Sequence, residues 1–144
     1  MPGWITEGFQ EYTRRLQARL PVQLVEIPAA RRGSGDVPRA MADEGRRLLA
    51  AVKPRDHVVA LDERGRARTS VELSRWLAER QQAGNDLSFI IGGADGLAPE
   101  VLQRAQERWS LSTLTLPHAL VRVLFAEQLY RAGTLLDGHP YHRE

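Results

Sequence analysis

Three short segments of this chain carry side chains whose types and spacing suit chemistry. The first is IIGGADGL, where Gly92, Gly93 and Gly96 follow an apolar run and precede a helical pattern. Glycine at such a place lets main-chain N–H groups approach a ligand closely, and a helix start favours anions. The spacing G-G-x-x-G is not the dinucleotide fingerprint, and without Gly-Lys-Ser/Thr it is not a Walker A loop. A tight strand-to-helix turn needs the same glycines, so the pattern alone leaves a ligand site and a plain turn both open.

The second segment is SLSTLTLPHALVRVLFAEQLYRA. A stretch of leucines and small hydroxyls leads through Pro117 and His118 into a long helical pattern that carries Arg122, Glu127 and Arg131. Neither arginine is buried without a partner at acceptable cost. Glu127 and Arg131 fit a surface i,i+4 pair; equally, the arginines fit RNA phosphates or a second subunit. The third segment is the terminal HPYHRE. Three of the four histidines, His118, His139 and His142, fall in the last quarter of the chain. With Glu127 they offer zinc-type donors, but no HExxH or comparable ligand spacing exists, and no metal is expected. Termini usually fray. Here, however, Tyr141, His142 and Arg143 combine a hydrogen-bonding aromatic, a titratable imidazole and a phosphate fork, an unusual mixture for a solvating end.

The elements that must position these groups alternate between helical and extended patterns. Ile5, Phe9, Tyr12 and Leu16 mark one helix face. VQLVEIP reads as a short strand closed by Pro28, and ARRGSGD as a loop. Val37, Ala40, Met41, Glu44 and Leu48 give a second helical stripe ending near Pro54. HVVAL is a buried-strand pattern, followed by DERGRAR as a polar loop. Thr69 and Glu72 form a capping box for a helix that Gly84 ends. LSFII is the next strand. Pro99 opens another helix, with Val101, Leu102, Ala105 and Trp109 expected on its buried face. A fourth strand is expected near Leu111, and a long helix from about His118 to Leu136. Strands alternating with helices predict an α/β fold with a parallel sheet covered on both faces, in one domain over residues 1–144.

Bulk properties agree with one compact domain. The chain has 144 residues and 42% apolar content, enough for one core. Absence of cysteine excludes disulfides and thiolate metal sites. No apolar run reaches the length of a membrane span, and MPGWITEGFQEY is not a secretory signal, so the expectation is a soluble cytoplasmic protein. The formal charge is only +2, yet the pI is about 9.5, because Lys53 is the sole lysine among arginines. Arginine matches phosphate oxygens two at a time, which favours a nucleic-acid partner. Codon bias in a GC-rich genome produces the same composition, so charge leaves both explanations standing.

Together, WITEGFQEYTRRL, QLVEIP, Leu61-Asp62, IIGGADGL, SLSTLTLPHALVRVLFAEQLYRA and HPYHRE resemble the RlmH family of the SPOUT superfamily. These enzymes methylate N3 of a pseudouridine in bacterial 23S ribosomal RNA with S-adenosyl-L-methionine. The resemblance runs from the first residue to the last, and its most specific part is the LTLPH–LVR–E–LYRA string with the PYHRE ending. It implies a SPOUT-type sheet with a C-terminal trefoil knot, which connectivity rules would have argued against. It further implies a homodimer acting on assembled ribosomes. By position, the cofactor contacts fall on Leu61, Gly92, Gly93, Leu111, Ser112, Thr113, Leu114, Thr115 and Leu116, with Leu61, Leu114 and Leu116 expected to help supply the apolar slot and backbone hydrogen bonds that adenine needs. His142 is the first candidate for the base that removes the N3 proton, with His118 and Tyr141 as alternatives. Arg122, Arg131 and Arg143 are candidates for RNA contact, and Arg143 also for stabilising charge on the ring. Rival readings are a ribosome-binding module that has lost methyl transfer, a SPOUT enzyme with another target, and a nucleotide hydrolase using the GGADG turn.

Family members normally begin with a short apolar strand and a Gly-Lys turn, and here Met1-Pro2-Gly3-Trp4 stands where that strand should have ended. The expectation is a sheet lacking its first family strand, through a start placed too far downstream or a truncation. Intact-mass measurement on the native protein is then expected to exceed 16.2 kDa; a native mass equal to that value refutes the longer product.

Overall fold

The computed structural model describes residues 2–30, 35–93 and 95–143, with the side chains of His142 and Arg143 outside the description. Most of the ARRGSGD segment, read as a loop, also lies outside the described residues. In chain order the elements are α1 (Gly3–Leu16), α2 (Val37–Ala50), β1 (His57–Ala67), α3 (Ser70–Ala83), β2 (Leu87–Ile91), α4 (Pro99–Arg104), β3 (Glu107–Ser110) and α5 (His118–Asp137), followed by a 3-10 turn, Pro140–Arg143. The chain divides into two compact units. One comprises Met1–Gln23, Arg68–Gly84 and Ala119–Glu144; the other comprises Leu24–Ala67 and Asn85–His118.

The second unit holds the sheet. Its three strands are parallel, in the order β2-β1-β3, so the architecture is α/β. Alternation along β1 sends Val58 and Ala60 to one face. There they meet Ile90, Leu97, Ala98 and Val101, with Leu48, Leu49 and Val52 of α2 and the following turn packed against them. Each fully buried valine, leucine or isoleucine contributes roughly 1.5–3 kcal/mol by leaving water. Gly45 lets α2 approach closely, since a Cβ there would sit 3.0 Å from Ala98 Cβ. The opposite face carries Val59 and Trp109, which are buried as well. At the start of β1, buried Asp56 accepts hydrogen bonds from the Lys53 N–H and the Ser88 hydroxyl, so it is not an orphaned charge.

The first unit is helical. α3 starts on the expected capping box and ends at Gly84, whose φ of 84° is left-handed. Leu73, Trp76 and Leu77 of α3, Ile5 and Leu16 of α1, and Phe125, Ala126, Leu129 and Ala132 of α5 form buried stripes at helical spacing. Small residues permit close approach. Gly8 of α1 faces Val123 of α5, and Gly133 leaves room for the Arg19 stem, whose guanidinium pairs with Asp137. The Ser70 hydroxyl donates to Gln128 Oε1 at 2.6 Å, linking α3 to α5.

Several expectations are corrected. Residues 22–28, read as a strand, form no ladder, and Leu24 and Val25 are exposed. The Pro28 carbonyl and Ala30 N–H are instead satisfied by the Arg47 and Glu44 side chains of α2. β-Branched residues favour a strand only where a neighbouring strand completes the pairing. DERGRAR is not a loop: β1 runs on to Ala67, and its register breaks so that Leu61 and Arg66 both pair with Trp109. Trp109 lies on β3, not on a helix face, because Ala105 turns extended and ends α4. The last strand thus precedes Leu111, and residues 111–117 are irregular.

Gly65 makes the β1 irregularity sterically feasible. A Cβ there would lie 2.6 Å from both the Arg108 carbonyl carbon and the Trp109 nitrogen, main-chain atoms that cannot swing aside. Gly65→Ala is expected to cost at least ~1–3 kcal/mol by overpacking. Gly93→Ala, where nothing lies within 4 Å of the added Cβ, should be near neutral. Urea midpoints of the two variants test this, and equal midpoints would contradict it.

Candidate functional site

Parallel pairing on both sides of β1 has a geometric consequence. Leu61 is in register with Ile91 on one side and Trp109 on the other. Gly92 follows Ile91, and Leu111 follows Ser110, so the chain leaves all three strands at the same end of the sheet. β2 and β3 flank β1 on opposite sides, so the connections diverge at that end. The crevice outside the carboxyl ends of strands at such a divergence is where open parallel sheets hold ligands. Leu61, Gly92, Gly93 and the loop of Leu111, Ser112, Thr113, Leu114, Thr115 and Leu116 therefore sit at, or leave from, one end of one sheet.

The local geometry of these loops differs from residue to residue. Gly92 is tight: a Cβ would lie 2.8 Å from the Gly96 carbonyl carbon and 3.0 Å from Leu97 Cγ. The Gly96 N–H donates to the Gly93 carbonyl at 3.1 Å, and Gly96 takes a left-handed φ of 85°. Gly93 itself is exposed, with open space where a side chain would point. The loop after β3 is braced by its own hydroxyls. Ser110 Oγ donates to the Ser112 carbonyl, and Ser112 Oγ accepts from the Leu114 N–H, both at 2.8 Å. Leu114 is left 73% exposed. Gly93 thus presents bare main chain, and Leu114 an uncovered apolar side chain, at the same end of the sheet. Leu61, at the same level of the sheet, is buried.

The other candidates lie on α5 and beyond it. His118 opens the helix and is exposed. Arg122 is half-buried one turn later. Arg131 is gripped by Glu127: Nε donates to Oε1 at 2.8 Å and Nη2 to Oε2 at 3.3 Å. Its guanidinium carbon stands 5.2 Å from the centre of the Tyr141 ring. The hydrogen bond to Glu127 is the main reason the Arg131 pKa is raised.

The terminal segment is ordered by a stop signal that its polar composition hid. Gly138, with φ of 70°, ends α5 in a Schellman arrangement, the His139 N–H donating to the Thr134 carbonyl and the Gly138 N–H to that of Leu135. Pro140 then starts the 3-10 turn, in which the Tyr141 N–H donates to His139 Nδ1. Gly followed by Pro was the legible sign. Tyr141 packs edge-on against Tyr130, with centroids 4.6 Å apart. Burial, then a hydrogen bond to Tyr12, pushes its phenol up to about 12. The main chain of His142 and Arg143 continues the turn; their side chains, named as base and phosphate fork, lie outside the described residues. No described helix is long and apolar enough to cross a membrane.

Comparison with known proteins gives a consistent result. Residues 1–142 match the family described as predicted SPOUT methyltransferase. A ribosomal RNA large subunit methyltransferase H of Alkalilimnicola ehrlichii is 56% identical over 144 residues, 99% of this chain and 92% of the relative. Proteins of the same name from Pseudomonas aeruginosa and Xanthomonas campestris pv. campestris are 49% identical (99% of this chain, 93% of the relative) and 50% identical (99% and 92%).

The Tyr141 environment makes a pH prediction. Its folded-state pKa lies above the ordinary phenol value of 10.0. Its contribution to stability is therefore complete below that value and is lost as pH rises through about 12. Tyrosinate absorbance should show a late ionisation near pH 12 that Tyr141→Phe removes; a titration unchanged by that substitution would contradict the assignment.

Proposed function

The chain belongs to the SPOUT methyltransferase family, and on that premise we propose that it methylates N3 of a pseudouridine in 23S ribosomal RNA. Methylation of large-subunit ribosomal RNA is what the names of relatives sharing about half its residues over nearly the whole chain state, the matching family is one of methyltransferases, and S-adenosyl-L-methionine is the proposed donor. The single observation that carries the reading is the convergence of Leu61, Gly92, Gly93 and the Leu111–Leu116 loop at the carboxyl end of one parallel sheet.

When bound, S-adenosyl-L-methionine would supply an electrophilic methyl on its sulfonium, with the thioether as the leaving group of an in-line displacement. The residues of this chain have three tasks. The first is to hold the donor: the Gly93 main chain and the exposed Leu114 wall fit an adenosine, and the serine-braced loop keeps that wall in place. Such positioning supplies much of the rate in a displacement. The second is to take the N3 proton, and His142 is assigned as base. Tyr141, its phenol pushed up to about 12, keeps its proton at neutral pH and supports the turn instead. His118, exposed at the start of α5, is the alternative. The third is to meet RNA, for which Arg122 and Arg143 are proposed.

The knotted homodimer and the cytoplasmic ribosome as substrate belong to the same proposal. With a net charge of only +2, a small protein gains little affinity from phosphate neutralisation alone, so the shape of an assembled particle must add contacts. Nucleoside mass spectrometry of rRNA is the test. Cells lacking the gene should lose one methylated pseudouridine, and the wild-type gene should restore it. His142→Ala should slow methylation of ribosomes by roughly 10²–10⁴-fold. Turnover of that variant at the wild-type rate would refute the base assignment, and efficient methylation of a short naked hairpin would refute the ribosome requirement.

A further inference from the structure

We propose that Arg131 is a positioning residue for the C-terminal turn: aimed by Glu127, its guanidinium lies over the Tyr141 ring and fixes the main chain from which His142 and Arg143 extend. The inference rests on the reading that this turn meets the RNA, and it gives Arg131 a different task from phosphate contact.

The geometry separates the two tasks. A guanidinium that receives a phosphate offers two adjacent N–H groups as a fork. In Arg131 one of the two forks, Nε–Nη2, is already occupied, donating to Glu127 Oε1 at 2.8 Å and Oε2 at 3.3 Å, which leaves only the Nη1 side for another acceptor. The carboxylate that fills it would also repel a phosphate. Both side chains are largely withdrawn from solvent, at 25% exposure for Arg131 and 15% for Glu127. The guanidinium carbon lies over the Tyr141 ring, 5.2 Å from its centroid and within cation–π range.

Glu127 is itself held. It accepts from Gln128 Nε2 at 3.1 Å, and Gln128 Oε1 in turn accepts from the Ser70 hydroxyl of α3 at 2.6 Å. A line of contacts thus runs from α3 through α5 to the turn. Tyr141 is met from a further direction by Tyr130, edge-on at 4.6 Å. The 3-10 turn is four residues long and has no core of its own. Its placement depends on the Schellman link to α5 and on this aromatic–guanidinium clasp. Residues one and two positions beyond Tyr141 inherit that placement directly.

The test uses the full-length protein with wild-type, Arg131→Met, Arg131→Lys, Glu127→Gln, Tyr141→Leu and the Arg131→Met/Tyr141→Leu double variant. Three readouts are needed: S-adenosyl-L-methionine binding by calorimetry, hydrogen exchange of the peptide spanning residues 138–143, and methylation kinetics on large ribosomal subunits. Arg131→Met should leave cofactor affinity within about twofold and speed exchange of the terminal peptide about tenfold, the order expected for losing one partly desolvated cation–π contact. It should lower kcat more than it raises KM. Glu127→Gln should do the same more weakly, and this variant keeps the proposal testable if Arg131→Met does not fold. Arg131→Lys, which keeps the charge but lacks the planar fork, should restore the clasp only in part. If Arg131 acts through Tyr141, the double variant is no slower than the worse single one.

An unchanged exchange rate in Arg131→Met, with a raised KM and a salt dependence of ribosome binding shallower by about one unit of slope, would mean direct phosphate contact and overturn the proposal. Additive losses in the double variant would overturn it too. Wild-type methylation by Tyr141→Leu would sink the separate reading that the turn meets RNA, while the exchange data would still decide whether Arg131 docks it.

Discussion

The hydrogen-bonding of β1 to a parallel neighbour on each side is the constraint from which the proposed donor site follows. A strand paired on both edges has no main-chain groups left for variation, so its register fixes where β2 and β3 stop. Because both partners run parallel to it, Ile91 and Trp109 lie level with Leu61, and the loops that follow β2 and β3 emerge at one end of the sheet. Antiparallel pairing of either neighbour would have sent Gly92 or Leu111 to the far end. The site is thus a product of strand direction before it is a product of any one side chain.

That arrangement is maintained by backbone contacts too close for side chains. Gly65 returns the chain against β3, and Gly92 folds the strand end onto Gly96; a Cβ added at either would lie within 3 Å of main-chain carbon. Such positions are costly to alter, since backbone atoms cannot rotate away as a side-chain tip does. They contrast with Gly93 and Leu114 at the same end of the sheet, which are open. Rigid turns beside uncovered surface fit a site that is formed before its ligand arrives.

The helical unit uses a different economy. It places a half-buried arginine, a carboxylate and three tyrosines where a hydrophobic cluster would have been simpler. Arg15 lies near the Tyr12 and Tyr130 rings as Arg131 lies over Tyr141, and each arginine is neutralised by a glutamate one turn earlier on its own helix. The rings lie within reach of the two guanidinium groups and of each other. This holds a short, polar terminus in place without the apolar residues that a conventional core contact would need.

Much of the helical structure was legible from local signals, because its determinants are local. The Thr69–Glu72 capping box, Gly84, Pro99 and the Ile5–Leu16 stripe each act within one or two turns, and each stands where the residues indicated. The family, too, was legible, since LTLPH and PYHRE are strings of side chains and need no geometry to be compared. Strand boundaries were not, because a strand exists only by pairing with residues distant in the chain. VQLVEIP has the right composition, yet its polar main-chain groups found Glu44 and Arg47 instead of a neighbouring strand. DERGRAR has the wrong composition, yet Trp109 and Ser110 supplied the partner that made it strand. The fate of Arg131 was likewise undetermined by spacing: an i,i+4 glutamate was visible, but only folding brought Tyr141 under the guanidinium, ten residues on, by turning the chain at Gly138.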